Sequence, residues 1–467
     1  MKHVHFIGIG GIGVSALARA FLHWGWRVSG SDSTASEITD DLKRTGIQVY
    51  IGNHARPAAA TSCDLIIYSL AVRPDNPQLI EARRLGIKTQ SYPEALGEIT
   101  KRYFAITVSG SHGKSTTAAM LALITARAGF DPTVILGTKL KEFGNSNFRP
   151  GKSSYLILEA DEWARAFLHY FPTIAIVTNI DREHLDTYKN LSGVKRAFAQ
   201  YAARLPKEGY LILNKHDNNS RFLTQKTQSC VVYFGIKTDS KPFTYSREYA
   251  SSQARIKRGG RRWPLQIPGI HNQINAEAAW QAAKLLGVKK SIAREALSRY
   301  RGAWRRMEQL KIKNLRFKIN GGPKTSNLNP SALIYSDYAH HPTEIKATLA
   351  AFREKHPNKK LLVIYQPHQI DRLTKLFNDF VHAFDLADEL WLLPTYQVAG
   401  REYRGRMKTS KELAEKIDRA KYFPSFASVI QRLQNKKNLN RRCIIFMGAG
   451  DIDTRMREFF TRVAGKL

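Results

Sequence analysis

Acidic residues are scarce in this chain: 39 Asp and Glu stand against 73 Lys and Arg, a formal net charge of +34 over 467 residues. Cysteine is scarcer still. Cys63, Cys230 and Cys443 are odd in number and far apart, which excludes a disulfide framework, argues against a cysteine metal centre and fits a reducing compartment. No segment reaches the roughly 20 uncharged apolar residues of a membrane span. The apolar N-terminus is not read as a signal peptide, because Arg19 and His23 interrupt it and its glycines fit a phosphate loop. There is no short-period repeat and no low-complexity tract. An apolar content of 43% excludes wholesale disorder, and the length calls for two or three domains. These features predict a cytoplasmic enzyme.

The positive charge by itself suits nucleic acid. The basic residues are nevertheless spread along the chain, with local clusters at 256–262, 355–360 and 436–442 that read as solvated faces and turns. Nucleic acid is therefore not the expected partner, and long-range attraction of anionic substrates is a modest additional role.

Two glycine loops carry more information. The first, His3-Val-His-Phe-Ile-Gly8-Ile-Gly10-Gly11-Ile12-Gly13, runs from a strand into a helix, and Asp32 follows about twenty residues on after a second apolar run. That is the layout of a dinucleotide-binding fingerprint with its ribose-binding acid. The second is Val108-Ser-Gly110-Ser111-His112-Gly113-Lys114-Ser115-Thr116-Thr117, after the apolar run 103–108 and before a helical pattern from Thr116 that stops at Gly129. Glycines leave backbone N–H groups free to wrap phosphate oxygens, and the helix N-terminus and Lys114 supply positive charge. Ser115 offers a hydroxyl to Mg²⁺. A full Walker pattern has glycine where this chain has Val108. The pair implies one nucleoside triphosphate and one further nucleotide or nucleotide sugar.

The organisation follows from where the patterns change. Short apolar runs within residues 1–100 predict a small parallel sheet with helices on both faces. A second βα series, 101–303, has strands near residues 133, 156, 176 and 211, and its polar stretch 224–263 reads as hairpins or a mobile insertion. The segment 302–308 reads as a junction. A third series, 304–467, holds the strands LIYSDYA, KLLVIYQP, ELWLLPTY and RCIIFMGAG. The expected fold class is α/β in three domains: an N-terminal Rossmann-like domain, a central P-loop-type ATPase with a mainly parallel sheet, and a C-terminal Rossmann-like domain.

Polar residues cluster at predicted strand ends, where open parallel sheets bind ligands. Glu159-Ala-Asp161-Glu162 ends one strand, and Asn179-Ile-Asp181-Arg-Glu-His184-Leu-Asp186 the next. A carboxylate and an imidazole near Ser115 make a candidate Mg²⁺ site whose shell phosphate oxygens complete. Each acid taken alone reads equally as a helix cap or surface carboxylate, and His184 as a group acting through water or a hydrogen-bonding residue.

With these residues the chain resembles the Mur ligase family along nearly its whole length. Gly8, Gly10, Gly11, Ile12, Gly13, Asp32 and Ser69 match the family's uridine diphosphate site, and Gly110 to Thr117 its ATP loop. Glu159 and His184 fall where the family places Mg²⁺ ligands, Asn272 and Asn275 match its adenine-side helix, Arg306 its arginine near the phosphates, and Asp337 the acid facing the ATP ribose. Asp337-Tyr-Ala-His340-His341-Pro-Thr343 and Tyr365-Gln-Pro-His368 favour the member that adds L-alanine. The resemblance implies ATP and UDP-N-acetylmuramate as substrates, Mg²⁺, an acyl-phosphate intermediate and a cytoplasmic monomer or homodimer. It implies catalytic roles for Lys114, Glu159, His184, Arg306 and His341, with His341 and Arg372 at the amino acid.

The chain also departs from that pattern. Gln369 stands where an arginine is expected, leaving Arg372 alone to grip a carboxylate; Ser336 replaces an acid before Asp337; and 320–330 reads as an extra loop. Lys195 is not assigned as the modified lysine of sister ligases. A ligase recycling a tripeptide onto the same sugar, a nucleic-acid-dependent ATPase and a nicotinamide oxidoreductase remain open at this point.

Overall fold

Ile174–Val177 is buried at every position, and Phe104–Ser109 at all but its first, so both need the continuous apolar runs that a sheet covered on two faces demands. Both are central strands in a computed structural model describing residues 1–52, 62–236, 262–310, 316–318, 325–327, 333–397, 405–436 and 439–464. The chain divides into two compact units. One comprises 1–236, 262–266 and 273–303; the other comprises 237–261, 267–272 and 304–467.

The first unit holds two sheets. Strands β1 (His3–Ile7), β2 (Arg27–Asp32), β3 (Gln48–Ile51), β4 (Leu65–Tyr68) and β5 (Lys88–Ser91) form a parallel sheet in the order β3-β2-β1-β4-β5. β1, β3 and β4 coincide with apolar runs of the sequence, whereas β5 is Lys-Thr-Gln-Ser and takes its place from pairing with β4. The second sheet is built from β6 (Phe104–Ser109), β7 (Thr133–Leu140), β8 (Ser146–Arg149), β9 (Tyr155–Glu159), β10 (Ile174–Val177), β11 (Tyr210–Asn214) and β12 (Cys230–Phe234). Its order is β12-β11-β10-β6-β9-β7-β8, parallel except for the β7–β8 hairpin. The register of that hairpin shifts between Ile135 and Leu140.

One expectation fails here. The stretch 224–263 reads as hairpins or a mobile insertion, yet within it β12 pairs parallel with β11, with Cys230 beside Tyr210 and Phe234 beside Asn214. A five-residue apolar run in polar surroundings conceals a strand that borrows its order from β11. Residues 237–261 of the same stretch lie outside the described residues.

The second unit carries β13 (Glu308–Gln309), β14 (Arg316–Lys318), β15 (Thr325–Asn327), β16 (Leu333–Asp337), β17 (Lys360–Tyr365), β18 (Glu389–Leu392), β19 (Ala420–Tyr422) and β20 (Arg442–Met447). Six form the order β13-β16-β20-β17-β18-β19, antiparallel only at β13, and β14 pairs antiparallel with β15. The predicted loop 320–330 lies outside the described residues except at Thr325–Asn327, which is β15. The four strands expected in this region are β16, β17, β18 and β20. Among the described residues no helix is long and apolar enough to cross a membrane.

Candidate active site

The Gly8 loop leaves β1 through a left-handed Gly8 (φ 79°), and the Gly8 and Ile9 amides donate to Ser31 O at 2.8 and 3.0 Å. Asp32 closes the loop by accepting the Gly10 amide at 2.8 Å, and a Cβ on Gly10 would lie 2.9 Å from the same oxygen. A Cβ on Gly8 would meet Ser69 Cβ at 2.9 Å, and one on Gly13 would meet Tyr92 Oη at the same distance. Gly8, Gly10, Gly13 and Asp32 are thus gathered at the carboxyl ends of β1 and β2, as their spacing implies, and Ser69, which the resemblance adds, stands beside Gly8 at the end of β4. Gly11 caps the helix Ile12–His23 with extended backbone.

The second loop leaves β6. Gly110 (φ 121°) and Gly113 (φ 85°) are both left-handed, and Gly113 caps Lys114–Arg127, a helix that starts two residues earlier than the pattern indicated. Neither glycine has room for a side chain: at Gly110 it would run into Thr178 Oγ1, and at Gly113 it would lie 2.5 Å from Asn275 Oδ1. The segment after β10 clamps the loop. Asn179 O accepts the Ser111 amide at 3.0 Å, Asn179 Oδ1 accepts the His112 amide at 3.0 Å, Thr178 Oγ1 donates to His112 O at 2.6 Å, and the Asp181 amide donates to Ser111 Oγ at 2.8 Å. His112 Nε2 meets Asp181 Oδ2 at 3.0 Å. Thr116 is buried in the first turn of the helix.

Lys114 Nζ donates to Gly110 O at 2.8 Å and to Glu162 Oε2 at 2.9 Å, with Asp161 Oδ1 3.9 Å away. Burial alone lowers a lysine; the charges of Glu162 and Asp161 reverse that, and the ammonium is held above its ordinary pKa. Ser115 Oγ donates to Glu159 Oε2 at 2.6 Å, and the Gly137 amide donates to Glu159 Oε1 at 2.6 Å.

The proposed metal residues fall into two pairings. Ser115 is with Glu159. His184 has Asp161 Oδ1 at 3.7 Å and Glu162 Oε1 at 3.8 Å, and one ligand atom from each of these three lies within 4.8 Å of the others. His184 adopts a left-handed backbone (φ 51°), and its Nδ1 is buried with no hydrogen-bond partner among the described residues. Carboxylate and hydroxyl oxygens are the donors Mg²⁺ takes, and His184 Nε2 is the ring nitrogen that faces the two carboxylates. Sequence reasoning noticed Glu162 only as part of an acidic run; its service to Lys114 depends on a fold contact 48 residues long.

In the second unit, Arg306 sits between two non-glycine left-handed residues, Arg305 (φ 57°) and Met307 (φ 47°). The Met307 amide donates to Asp337 Oδ2 at 2.7 Å, the Tyr338 amide to Arg305 O at 2.7 Å, and the Arg306 guanidinium lies 5.1 Å from the Tyr338 ring centre and 3.7 Å from Glu344. Asp337 also accepts the Ala339 amide at 2.8 Å; burial raises its pKa, which Arg306 and these donors only partly offset. Ser336 Oγ donates to Asp453 Oδ1 at 2.5 Å, so an acid stands beside that position although the chain carries none there. Asn272 Nδ2 donates to Pro268 O at 2.6 Å.

The resemblance gives His341 a catalytic role and a place at the amino acid; in the structure its ring caps a helix. His341 is the N-cap of Pro342–Lys355, and its Nδ1 accepts the Thr343 amide at 3.3 Å, which puts the proton of a neutral ring on Nε2. His340 Nδ1 lies 3.2 Å from Glu344. After β17, His368 stacks on Tyr396 with centroids 5.7 Å apart, and the buried Arg372 donates to His368 O at 3.2 Å. Gln369 is left-handed (φ 71°) and opens the helix Ile370–Lys375 that carries Arg372. Lys195 lies over the Phe222 ring at 5.7 Å.

Three family models match in succession: the Mur ligase family catalytic domain at residues 3–104, the Mur ligase middle domain at 108–283, and the Mur ligase glutamate ligase domain at 323–450. The chain is 37% identical to the UDP-N-acetylmuramate--L-alanine ligase of Aquifex aeolicus (strain VF5) over 99% of its own length and 98% of the relative. It is 36% identical to the enzyme of that name from Alkaliphilus metalliredigens (strain QYMF), over 97% and 95%. Among solved structures it is similar to the UDP-N-acetylmuramate-alanine ligase of Thermotoga maritima, with TM-score 0.74, 25% identity and 99% of both chains covered. A murein peptide ligase of Psychrobacter arcticus shares the fold, with TM-score 0.69 and 21% identity over 100% and 99%.

Proposed function

This chain belongs to the Mur ligase family, and from that membership we propose that it joins L-alanine to the carboxylate of UDP-N-acetylmuramate at the expense of ATP, a step of peptidoglycan precursor synthesis in the cytoplasm. One observation carries the reading: a single unit presents two different nucleotide loops, one closed by Asp32 and one carrying Lys114, in a chain with full-length relatives of that name. A dehydrogenase has no use for the second loop, and a nucleic-acid ATPase none for the first.

The chemistry follows from the reactants. A carboxylate is a poor electrophile, so the sugar carboxylate attacks the γ-phosphorus of ATP, ADP leaves, and an acyl phosphate forms. The alanine amine then attacks the carbonyl carbon, and phosphate departs from the tetrahedral intermediate, taking up the proton that the amine gives up. Lys114 and Arg306 oppose charge on the transferring phosphoryl group, worth a hundredfold or more in rate on the scale of about 2.7–4 kcal/mol per well-placed donor. To reach phosphate, the Lys114 ammonium exchanges Glu162 for the ligand. Ser115, Glu159 and His184, with Asp161 and Glu162 adjacent, would hold Mg²⁺, which supplies charge neutralisation on the phosphates. Gly8, Gly10, Gly11, Ile12, Gly13, Asp32 and Ser69 bind the uridine diphosphate; Gly110 to Thr116, Asn272, Asn275 and Asp337 bind ATP; Arg372 grips the alanine carboxylate. His341 orders its helix and presents Nε2–H as a donor. The domain divisions at 100 and 303, and a monomeric or homodimeric state, belong to the same reading.

The test is phosphate release with ATP, Mg²⁺ and UDP-N-acetylmuramate in the presence of L-alanine, glycine, L-serine or the L-Ala-γ-D-Glu-diaminopimelate tripeptide, with the product mass determined. Release with L-alanine and a product one alanyl residue heavier is the expected result. Preference for the tripeptide would assign the chain to recycling, and silence with every acceptor would reject a ligase.

A further inference from the structure

The β7–β8 hairpin reaches the first turn of the helix that follows the Gly8 loop and, through Glu159, the Ser115 hydroxyl that follows the Gly113 turn. On β8, the Asn147 side chain is buried, and its Nδ2 donates to Ile12 O at 2.6 Å and to Ser15 Oγ at 2.9 Å. Ile12 and Ser15 form the first turn of the helix that the Gly8 loop opens. On β7, the Gly137 amide donates to Glu159 Oε1, whose other oxygen takes the Ser115 hydroxyl. Two residues further, Lys139 Nζ, only 3% exposed, is paired with Glu37 Oε1 at 2.7 Å and Asp41 Oδ2 at 2.6 Å on the helix Glu37–Arg44 of the first sheet. These contacts are aimed by one irregularity. The β7–β8 register shifts between Ile135 and Leu140, and a shift of this kind turns the local backbone and re-aims its amides and side chains.

We propose that this hairpin is the spacer that sets the uridine diphosphate loop against the ATP loop, and that Asn147 is its positioning residue. Two substrates held by separate sheets react only if the carboxylate and the γ-phosphorus meet in line. A misplacement of about 1 Å costs on the order of a hundredfold in rate while leaving each binding site intact. Asn147 fits this task because its amide donors reach a backbone carbonyl, which no substitution in the partner helix can remove. Lys139, on the other strand of the hairpin, adds a second tie, buried and paired with two carboxylates. The inference rests on the ligase reading above.

The experiment compares wild type with Asn147→Asp, nearly the same shape with no donor, and with Ser15→Ala, which removes one of the two acceptors. For each protein, kcat, the dissociation constants of UDP-N-acetylmuramate alone and of a non-hydrolysable ATP analogue alone, and the unfolding midpoint are measured. Expected for Asn147→Asp is a kcat at least about tenfold lower, with both dissociation constants within about twofold of wild type; Ser15→Ala shows a smaller loss in the same parameter. An unchanged kcat, or a loss confined to the affinity for UDP-N-acetylmuramate, overturns the proposal. If Asn147→Asp fails to fold, Ser15→Ala decides by the same criterion. Wild-type protein that releases no phosphate with any acceptor overturns the ligase reading and this proposal with it, whereas active wild type with an unaffected variant overturns the proposal alone.

Discussion

Glu162 holds the Lys114 ammonium at 2.9 Å from a side chain with no exposed surface. An uncompensated buried lysine would lose its proton or its place; with Glu162 it keeps both until phosphate arrives. Lys114→Ala is expected to lower kcat at least about a hundredfold, with the unfolding midpoint showing whether the stranded Glu162 also destabilises the fold. Near-normal turnover would reject the role in phosphoryl transfer.

Ser115→Ala removes the donor of the 2.6 Å contact between those residues, and Glu159→Gln removes the charge of its acceptor. Both are expected to raise the Mg²⁺ concentration needed for half-maximal phosphate release by about tenfold or more. Titration of Mg²⁺ at saturating ATP is the measurement, and an unchanged midpoint for both variants removes this pair from the metal site. Chelation of divalent ions in the wild type should abolish turnover and be reversed by added Mg²⁺.

Gln369→Arg tests amino-acid recognition. The left-handed φ of 71° already strains a side-chain-bearing residue, and arginine adds no new backbone cost. Beside Arg372 it supplies a second cation for the incoming carboxylate, so the KM for L-alanine should fall while the KM for ATP stays. An unchanged KM for L-alanine would show that position 369 faces away from the pocket.

His5 supplies a pH prediction. Burial, followed by the charge of His3, lowers its pKa to about 4, and its Nδ1 lies 2.8 Å from Ser29 Oγ. A histidine depressed in the folded state is neutral there while its unfolded counterpart takes up a proton. Its stabilising effect is therefore complete above pH 6.5 and is lost as pH falls toward 4, by about 3 kcal/mol for this residue alone. Urea unfolding at pH 7 and pH 5 should show the loss, and His5→Asn should flatten it. Equal slopes in wild type and variant would assign the acid sensitivity elsewhere.

The two loops were legible because glycine at a left-handed position and an acid at the end of the next strand are local demands with local signatures. Gly8, Gly110 and Gly113 are all left-handed, and Asp32 lies on the Gly10 amide. Strands β1, β3 and β4 of the first sheet were legible for the same reason, each carrying an apolar run. The partner of Lys114 was not, since Glu162 is chosen by how β9 lies beside β6 rather than by any spacing in the chain. Nor was the capping role of His341, because a histidine before Pro342 reads alike whether it moves a proton or starts a helix. The β12 strand escaped because its exposed positions carry no alternation and its partner lies across a crossover. The hairpin tie at Asn147 escaped because an asparagine between Ser146 and Phe148 carries no sign of a partner 132 to 135 residues away.

The strand order of the second sheet has a consequence for synthesis. β6, which delivers the triphosphate loop, is flanked by β9 and β10, so it leaves the ribosome before either of its neighbours exists. Until Thr178 and Asn179 have emerged, nothing clamps the Ser111 and His112 amides. The nascent chain therefore carries its triphosphate loop as an unformed turn beside an unpaired apolar strand, a stage at which association with other unfinished chains competes with folding. Pausing of translation after residue 180 would shorten that exposure, and pausing before it would prolong it.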